Sequence, residues 1–128
     1  PGAWHSACEF IISKQTEIAK ILDKCEQIIL SGAGTSDYVG RSVETLLRHR
    51  LGKDVKSKPS TDLVTDPEGL FPKKPFALIS FARSGNSPEG NAAFNLANQL
   101  RPEYAHHIVV TCNPDGELAR LAKESPWL

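Results

Sequence analysis

The apolar positions of this chain fall into two alternating kinds of run. From Trp4 to Leu22 they recur three and four residues apart (Trp4, Cys8, Ile11, Ile12, Ile18, Ile21, Leu22), which is the spacing of one helix face. "QIILS", starting at Gln27, is continuous and ends at a glycine, the pattern of a parallel strand buried on both faces. Val39, Val43, Leu46, Leu47 and Leu51 restore the helical spacing, and Gly52 closes it. "DVKSKPST" predicts a second strand, near a sheet edge because Pro59 interrupts it. "LVTDPEGLFPKKP" carries the turn residues of a long loop. "FALISFA" predicts the third strand. A helix follows from Pro88 to Leu100, with Ser87 as N-cap and Pro88 at the first helical position. "HHIVVTC" predicts a fourth strand, "NPDG" a turn, and "ELARLAKE" a short helix. Strands that alternate with helices, and are themselves unbroken apolar runs, predict an α/β fold with a parallel sheet covered on both faces.

Bulk composition narrows the partners. The 128 residues fit one domain of the usual roughly 100–200 residues. Lys plus Arg number 15 and Asp plus Glu 15, so the net charge is zero, which argues against a nucleic-acid or membrane-surface partner held by charge. No apolar run approaches the roughly 20 residues of a membrane span and no leader pattern opens the chain, so a cytoplasmic protein is expected. Cys8, Cys25 and Cys112 form no CxxC pair and read as small buried residues of a reducing compartment. His5, His49, His106 and His107 show no ligand spacing, so no metal is expected. The chain begins at Pro1, contains no methionine and stops at "SPWL", and so reads as part of a longer protein.

Chemistry concentrates where strands end. "SGAGTS", "ARSGNS" and "TCN" place small hydroxyl and amide side chains at the carboxyl ends of three predicted strands, where helix N-termini offer N–H groups to an anion. A P-loop is excluded: "GTSDYVGRS" is one residue too long, has Arg41 instead of lysine, and runs past the turn into the helical face. A dinucleotide fingerprint fits poorly, because Asp37 occupies the third-glycine position and Asp62 comes late for a ribose-binding acid. What remains is a compact phosphate monoester held by hydroxyls and backbone N–H groups without lysine or magnesium.

The run "SGAGTS", then "SFARSGNSPE", then "TCNPDG" resembles the sugar isomerase (SIS) domain. More narrowly it resembles the ketose/aldose isomerases of the tagatose-6-phosphate and amino-sugar-phosphate catabolic group, whose stretch after the second strand is also similar to "PSTDLVTDP". The resemblance implies a three-layer α/β/α sandwich with a flavodoxin-like parallel sheet, four of whose five strands fall in this chain. It divides the chain into an N-terminal helical segment, residues 1–26, and a phosphosugar-binding domain, 27–128, that stops before its last strand. It further implies a phosphorylated sugar as substrate, no cofactor and a homo-oligomer. Family members move a proton between adjacent carbons through an enediol(ate), with ammonia released when the substrate carries an amine. A phosphosugar-sensing module without catalysis is the alternative.

On this resemblance the phosphate positions are Gly34, Thr35, Ser36, Ser84 and Ser87, with Arg83 and Asn86 in the same loop. Arg83 either clamps phosphate or pairs with an acid beside the sheet. Thr61 and Asp62 either orient sugar hydroxyls or make a turn, Glu89 reaches substrate or starts a helix, and Asn113 contacts sugar or caps "NPDG". Gly90 stands where the subgroup has serine, which weakens a helix start. No catalytic base is assigned, since no Glu/His pair lies near the two loops in sequence.

Overall fold

A computed structural model describes residues 15–32, 35–83, 88–111, 113 and 115–124. The elements run α1 (Gln15–Lys24), β1 (Gln27–Gly32), α2 (Thr35–Leu51), β2 (Asp54–Pro59), α3 (Ser60–Thr65), α4 (Pro67–Leu70), β3 (Phe76–Ala82), α5 (Pro88–Leu100), β4 (Ala105–Thr111) and α6 (Glu117–Glu124). The first part of the expected N-terminal helix, residues 4–14, lies outside the described residues, as does Ser87.

All four strands are parallel, in the order β2-β1-β3-β4. The chain therefore winds one way from β1 to β2 and then reverses, crossing β1 to reach β3 and β4. Parallel crossovers share one hand, so the reversal places α2 on one face and the later helices on the other. On the first face Ile28, Leu30, Val55 and Ala77 pack with Ile21 and Leu22 of α1 and Val43 and Leu47 of α2. On the second, Ile29, Leu63, Phe76, Leu78, Ala93 and Ala97 form the core, with Phe71 stacked on Phe76. The helix α6 closes that face over Phe94 through Leu118 and Ala122. The expected three-layer sandwich is present, with β2 at an edge.

Two expectations are corrected. The second strand ends at Pro59 rather than running on to Thr61, and the segment after it is no loop but the short helices α3 and α4. Pro59 ends the strand, and Ser60 already belongs to α3. Asp66 caps α4, its side chain accepting the Gly69 N–H at 3.1 Å with Pro67 at the helix start. "DPEG" thus carries a helix-start signal, an Asp cap before a Pro, in residues that equally suit a turn. The non-helical end of this connector is held by Arg101, only 6% exposed. Its guanidinium donates to the carbonyls of Glu68, Phe71, Pro72 and Leu100 at 3.0–3.3 Å and pairs with the Glu68 carboxylate at 3.2 Å.

Closure of α2 onto the sheet depends on two glycines. Gly52, at φ +64, takes the left-handed cap conformation, and its N–H donates to Arg48 O at 3.1 Å. Gly40 faces β1 and β2: a Cβ there would sit 3.0 Å from Leu30 Cβ and 3.1 Å from Ser57 Oγ. The outer edge of β2 is also covered by α2. The Ser57 N–H donates to the Glu44 carboxylate, and Arg48 Nη2 donates to Val55 O at 2.8 Å. Pro59, the next residue on that edge, has no N–H to offer.

Candidate functional site

Neighbouring strands β1 and β3 send their connections in opposite directions, and in open parallel sheets such a switch point opens a crevice beyond the strand ends. Gly32 and Phe81 are register partners, so β1 and β3 end side by side. From Gly32 the chain enters α2 at Thr35, and from Ala82 it enters α5 at Pro88. The two hydroxyl-rich turns therefore leave adjacent strands, and each leads into a long helix that starts at this end of the sheet with its positive dipole end toward the crevice.

Of the expected phosphate residues, Gly34, Ser84, Asn86 and Ser87 lie outside the described residues, and Thr35 and Ser36 are the first two residues of α2. Arg83 is exposed at the end of β3, and none of the ion pairs among the described residues includes it. Thr61 and Asp62 are exposed in the first turn of α3, at the end of β2 beside β1. Glu89 is exposed in the first turn of α5, which starts at Pro88 despite Gly90. Asn113 follows β4, where its Oδ1 accepts the Asp115 N–H at 3.1 Å and its carbonyl accepts the Gly116 N–H at 3.2 Å, closing the turn.

Beneath the crevice lies a buried polar layer that sequence reasoning missed. Ser31 of β1 and Ser60 at the start of α3 share a hydrogen bond at 3.1 Å, both buried, and Ser80 of β3 is the register partner of Ser31. The bond ties the end of β1 to the start of α3, fixing the turn that carries Thr61 and Asp62. The available signal was a hydroxyl in each otherwise apolar strand.

Charge at the crevice is balanced within α2. Asp37 sits in the first turn, and its carboxylate accepts from Arg41 Nε at 2.6 Å. That hydrogen bond, then the Asp37 charge and more weakly Asp62, raises the Arg41 pKa further. Arg41 thus reaches back along its own helix, which agrees with the exclusion of a P-loop. The histidines are elsewhere. His106 and His107 are buried in the first half of β4, the end remote from the crevice. His107 stacks on Phe94 with ring centroids 3.8 Å apart and donates from Nε2 to Asn98 Oδ1 at 2.9 Å. Burial, with a smaller push from His106, brings its pKa down to about 4. Cys25 is buried too, which pushes its thiol up to about 11 and leaves it unreactive; Cys8 and Cys112 lie outside the described residues. Among the described residues no group of three His, Cys, Asp or Glu is placed to hold a metal, and no helix is long and apolar enough to cross a membrane.

Comparison with known proteins places this geometry. No family model matches the chain. It is 49% identical over 131 residues to the D-galactosamine-6-phosphate deaminase AgaS of Escherichia coli, a match covering 98% of this chain and 34% of the relative. It is 43% identical over 127 residues to the AgaS of Shewanella sp. strain ANA-3, covering 93% and 33%. The crystal structure of tagatose-6-phosphate ketose/aldose isomerase from Escherichia coli superposes with a TM-score of 0.88 at 40% identity, over 98% of this chain and 36% of that one. Close homologues of the chain are thus AgaS deaminases and a tagatose-6-phosphate ketose/aldose isomerase of SIS fold, matched over nearly the whole chain. It spans about a third of the length of the curated relatives it matches. Because the structural match covers nearly all of the chain, its switch point and four strand ends belong to the part of the SIS fold that it shares with that isomerase.

Proposed function

We propose that this SIS chain anchors the phosphate of a 6-phosphorylated hexose or hexosamine within an isomerase or deaminase–isomerase. The observation that carries this reading is the adjacency of Gly32 and Phe81, which brings the turns "GAGTS" and "RSGNS" to neighbouring strand ends at the switch point. Phosphate is then held by backbone N–H groups at the starts of α2 and α5 and by the hydroxyls of Thr35, Ser36, Ser84 and Ser87. Gly34 lets the backbone approach, Asn86 donates beside them, and Arg83, outside every described ion pair, supplies the cation. Thr61, Asp62 and Glu89 stand around the same edge for the sugar hydroxyls. Asn113, engaged in its own turn, is the weakest candidate among them.

Such an anchor lets remote binding energy orient the reacting carbons for enolisation. His106 and His107 take no part in proton transfer here, since both are buried in the first half of β4, at the opposite end of the strand. We take residues 27–128 as the phosphosugar unit and residues 1–26 as a segment packing on it, a reading supported within the described residues by Ile21 and Leu22 lying against Ile28 and Leu30. A cytoplasmic location fits a phosphorylated substrate.

Thermal-shift titration with galactosamine 6-phosphate, tagatose 6-phosphate and inorganic phosphate tests the reading, on the natural chain and on Thr35→Ala and Ser84→Ala. A ligand at a hundred times its dissociation constant should stabilise by about 2.7 kcal/mol. Each substitution should weaken binding about tenfold, the loss of one charge-assisted hydrogen bond. Equal shifts in all three proteins would remove these hydroxyls from the site.

A further inference from the structure

The helix α3 carries two of the proposed sugar contacts, Thr61 and Asp62, yet its six residues are too few to hold a direction of their own. Its N-cap residue, Pro59, makes no side-chain cap hydrogen bond. Local support comes late in the helix, where the Thr65 hydroxyl donates to Thr61 O at 2.7 Å and the Asp66 N–H to Asp62 O at 3.0 Å. Two buried side chains, three residues apart on one face, pin it to the sheet. Leu63 sits in the core with Ile29 and Leu78. Apolar contact is non-directional, so Leu63 alone holds the helix down without setting its rotation. Ser60 adds a directional contact, the 3.1 Å hydrogen bond to Ser31 of β1. With both pins in place, Thr61 and Asp62 are left on the exposed side. The Arg41 pKa, raised first by the hydrogen bond to Asp37, is raised further by the Asp62 charge, so the first turn of α3 lies beside the start of α2. Ser31 immediately precedes Gly32, where the first phosphate turn leaves the sheet.

We propose that Ser31 and Ser60 are positioning residues for the sugar half of the site. Their hydrogen bond holds Thr61 and Asp62 where the sugar hydroxyls come, while the phosphate half, built on the turns after β1 and β3, does not depend on it. The inference rests on the sugar-phosphate reading above. A buried hydroxyl pair is a poor device for stability, because replacing both partners with apolar groups of similar shape is close to neutral. Its value here lies in direction: it sets the rotation of a helix that has no cap of its own. The two halves of the site therefore separate. A bare phosphate, held at the starts of α2 and α5, has no group that reaches α3, whereas a hexose 6-phosphate brings hydroxyls to it. Loss of the serine pair thus costs affinity for the sugar and not for the anion.

Calorimetric titration with inorganic phosphate and with galactosamine 6-phosphate tests it, on the natural chain, Ser31→Ala, Ser60→Ala, the double variant, Asp62→Ala and the triple variant. Each single serine variant strands a buried hydroxyl and should melt below the natural chain, and the double variant should recover most of that loss. In the double variant the affinity for inorganic phosphate should stay within about twofold, while that for galactosamine 6-phosphate should fall about tenfold. The ratio of the two affinities is read on the single variants as well, so the test does not depend on one protein folding. Because the pair acts through α3, adding Asp62→Ala to the double variant should cost less sugar-phosphate affinity than it costs in the natural chain. An unchanged affinity ratio in the serine variants overturns the proposal, and so does full additivity with Asp62→Ala. A natural chain that binds neither ligand overturns the sugar-phosphate reading and this inference with it.

Discussion

The two edges of the sheet are treated in opposite ways. At β2 the outward backbone groups are answered from within the chain: Glu44 takes the Ser57 N–H, Arg48 caps Val55 O, and Pro59 has no donor. At β4 no strand lies outside Ala105–Thr111 among the described residues. The Phe76 N–H donates to Tyr104 O, so Tyr104, His106, Ile108 and Val110 turn their backbone groups toward β3 and the alternate residues His107, Val109 and Thr111 turn theirs outward. Unpaired edges invite strand addition, and side chains or proline across an edge prevent it. Growth of this sheet is therefore blocked on one side and possible on the other.

Acid should break the β4 side first. The folded His107 is neutral with a pKa of about 4, against 6.5 when unfolded, so the unfolded chain binds a proton that the fold refuses. Stability from this group is complete above pH 6.5 and is lost as pH falls toward 4, by about 3 kcal/mol at the lower end. His106 shifts in the same direction through its own burial and Lys24. Denaturant melts across this window should show the slope, and His107→Leu, less stable at neutral pH, should lose most of it. An unchanged slope would assign the acid sensitivity to other groups.

On the β2 side, Gly40→Ala should cost about 1–3 kcal/mol. The new methyl group lies 3.0 Å from Leu30 Cβ and 3.1 Å from Ser57 Oγ, so its neighbours must give by a few tenths of an ångström in a packed interface. A chemical-denaturation midpoint equal to that of the natural chain would show that the helix repacks freely. The smallest effect sharpens the comparison of the edges most directly. Glu44→Ala should speed hydrogen exchange at the Ser57 amide about tenfold, the worth of one charge-assisted bond, while the outward Val109 amide stays as it was. Equal exchange at Ser57 with and without Glu44 would mean that the edge is protected by something other than this carboxylate.

Local pattern was enough to read β1, β3, α5 and α6, because each is a periodic or continuous apolar run with a clear stop at Gly, Pro or a hydroxyl. It failed at "STDLVTDPEGL". Both helices there are shorter than two turns, so they leave little periodicity and are held by contacts remote in sequence, Leu63 in the core and Arg101 on the connector carbonyls. Ser31 and Ser60 escaped for a similar reason: 29 residues separate the two halves of one hydrogen bond.

By itself, the order of apolar runs determined a parallel α/β sheet, since continuous strands joined by helices can be buried in few other ways. The glycine- and hydroxyl-rich turns likewise pointed to an anion at the strand ends, the reading proposed above. Only the tertiary structure decided that the turns after β1 and β3 are neighbours, because strand order depends on the reversal of winding after β2, which no local stretch encodes. It also decided that one sheet edge is sealed by α2 while the other, among the described residues, has no strand beside it. A helical repeat shows that a face is apolar; what packs there is settled by where the rest of the chain has already gone.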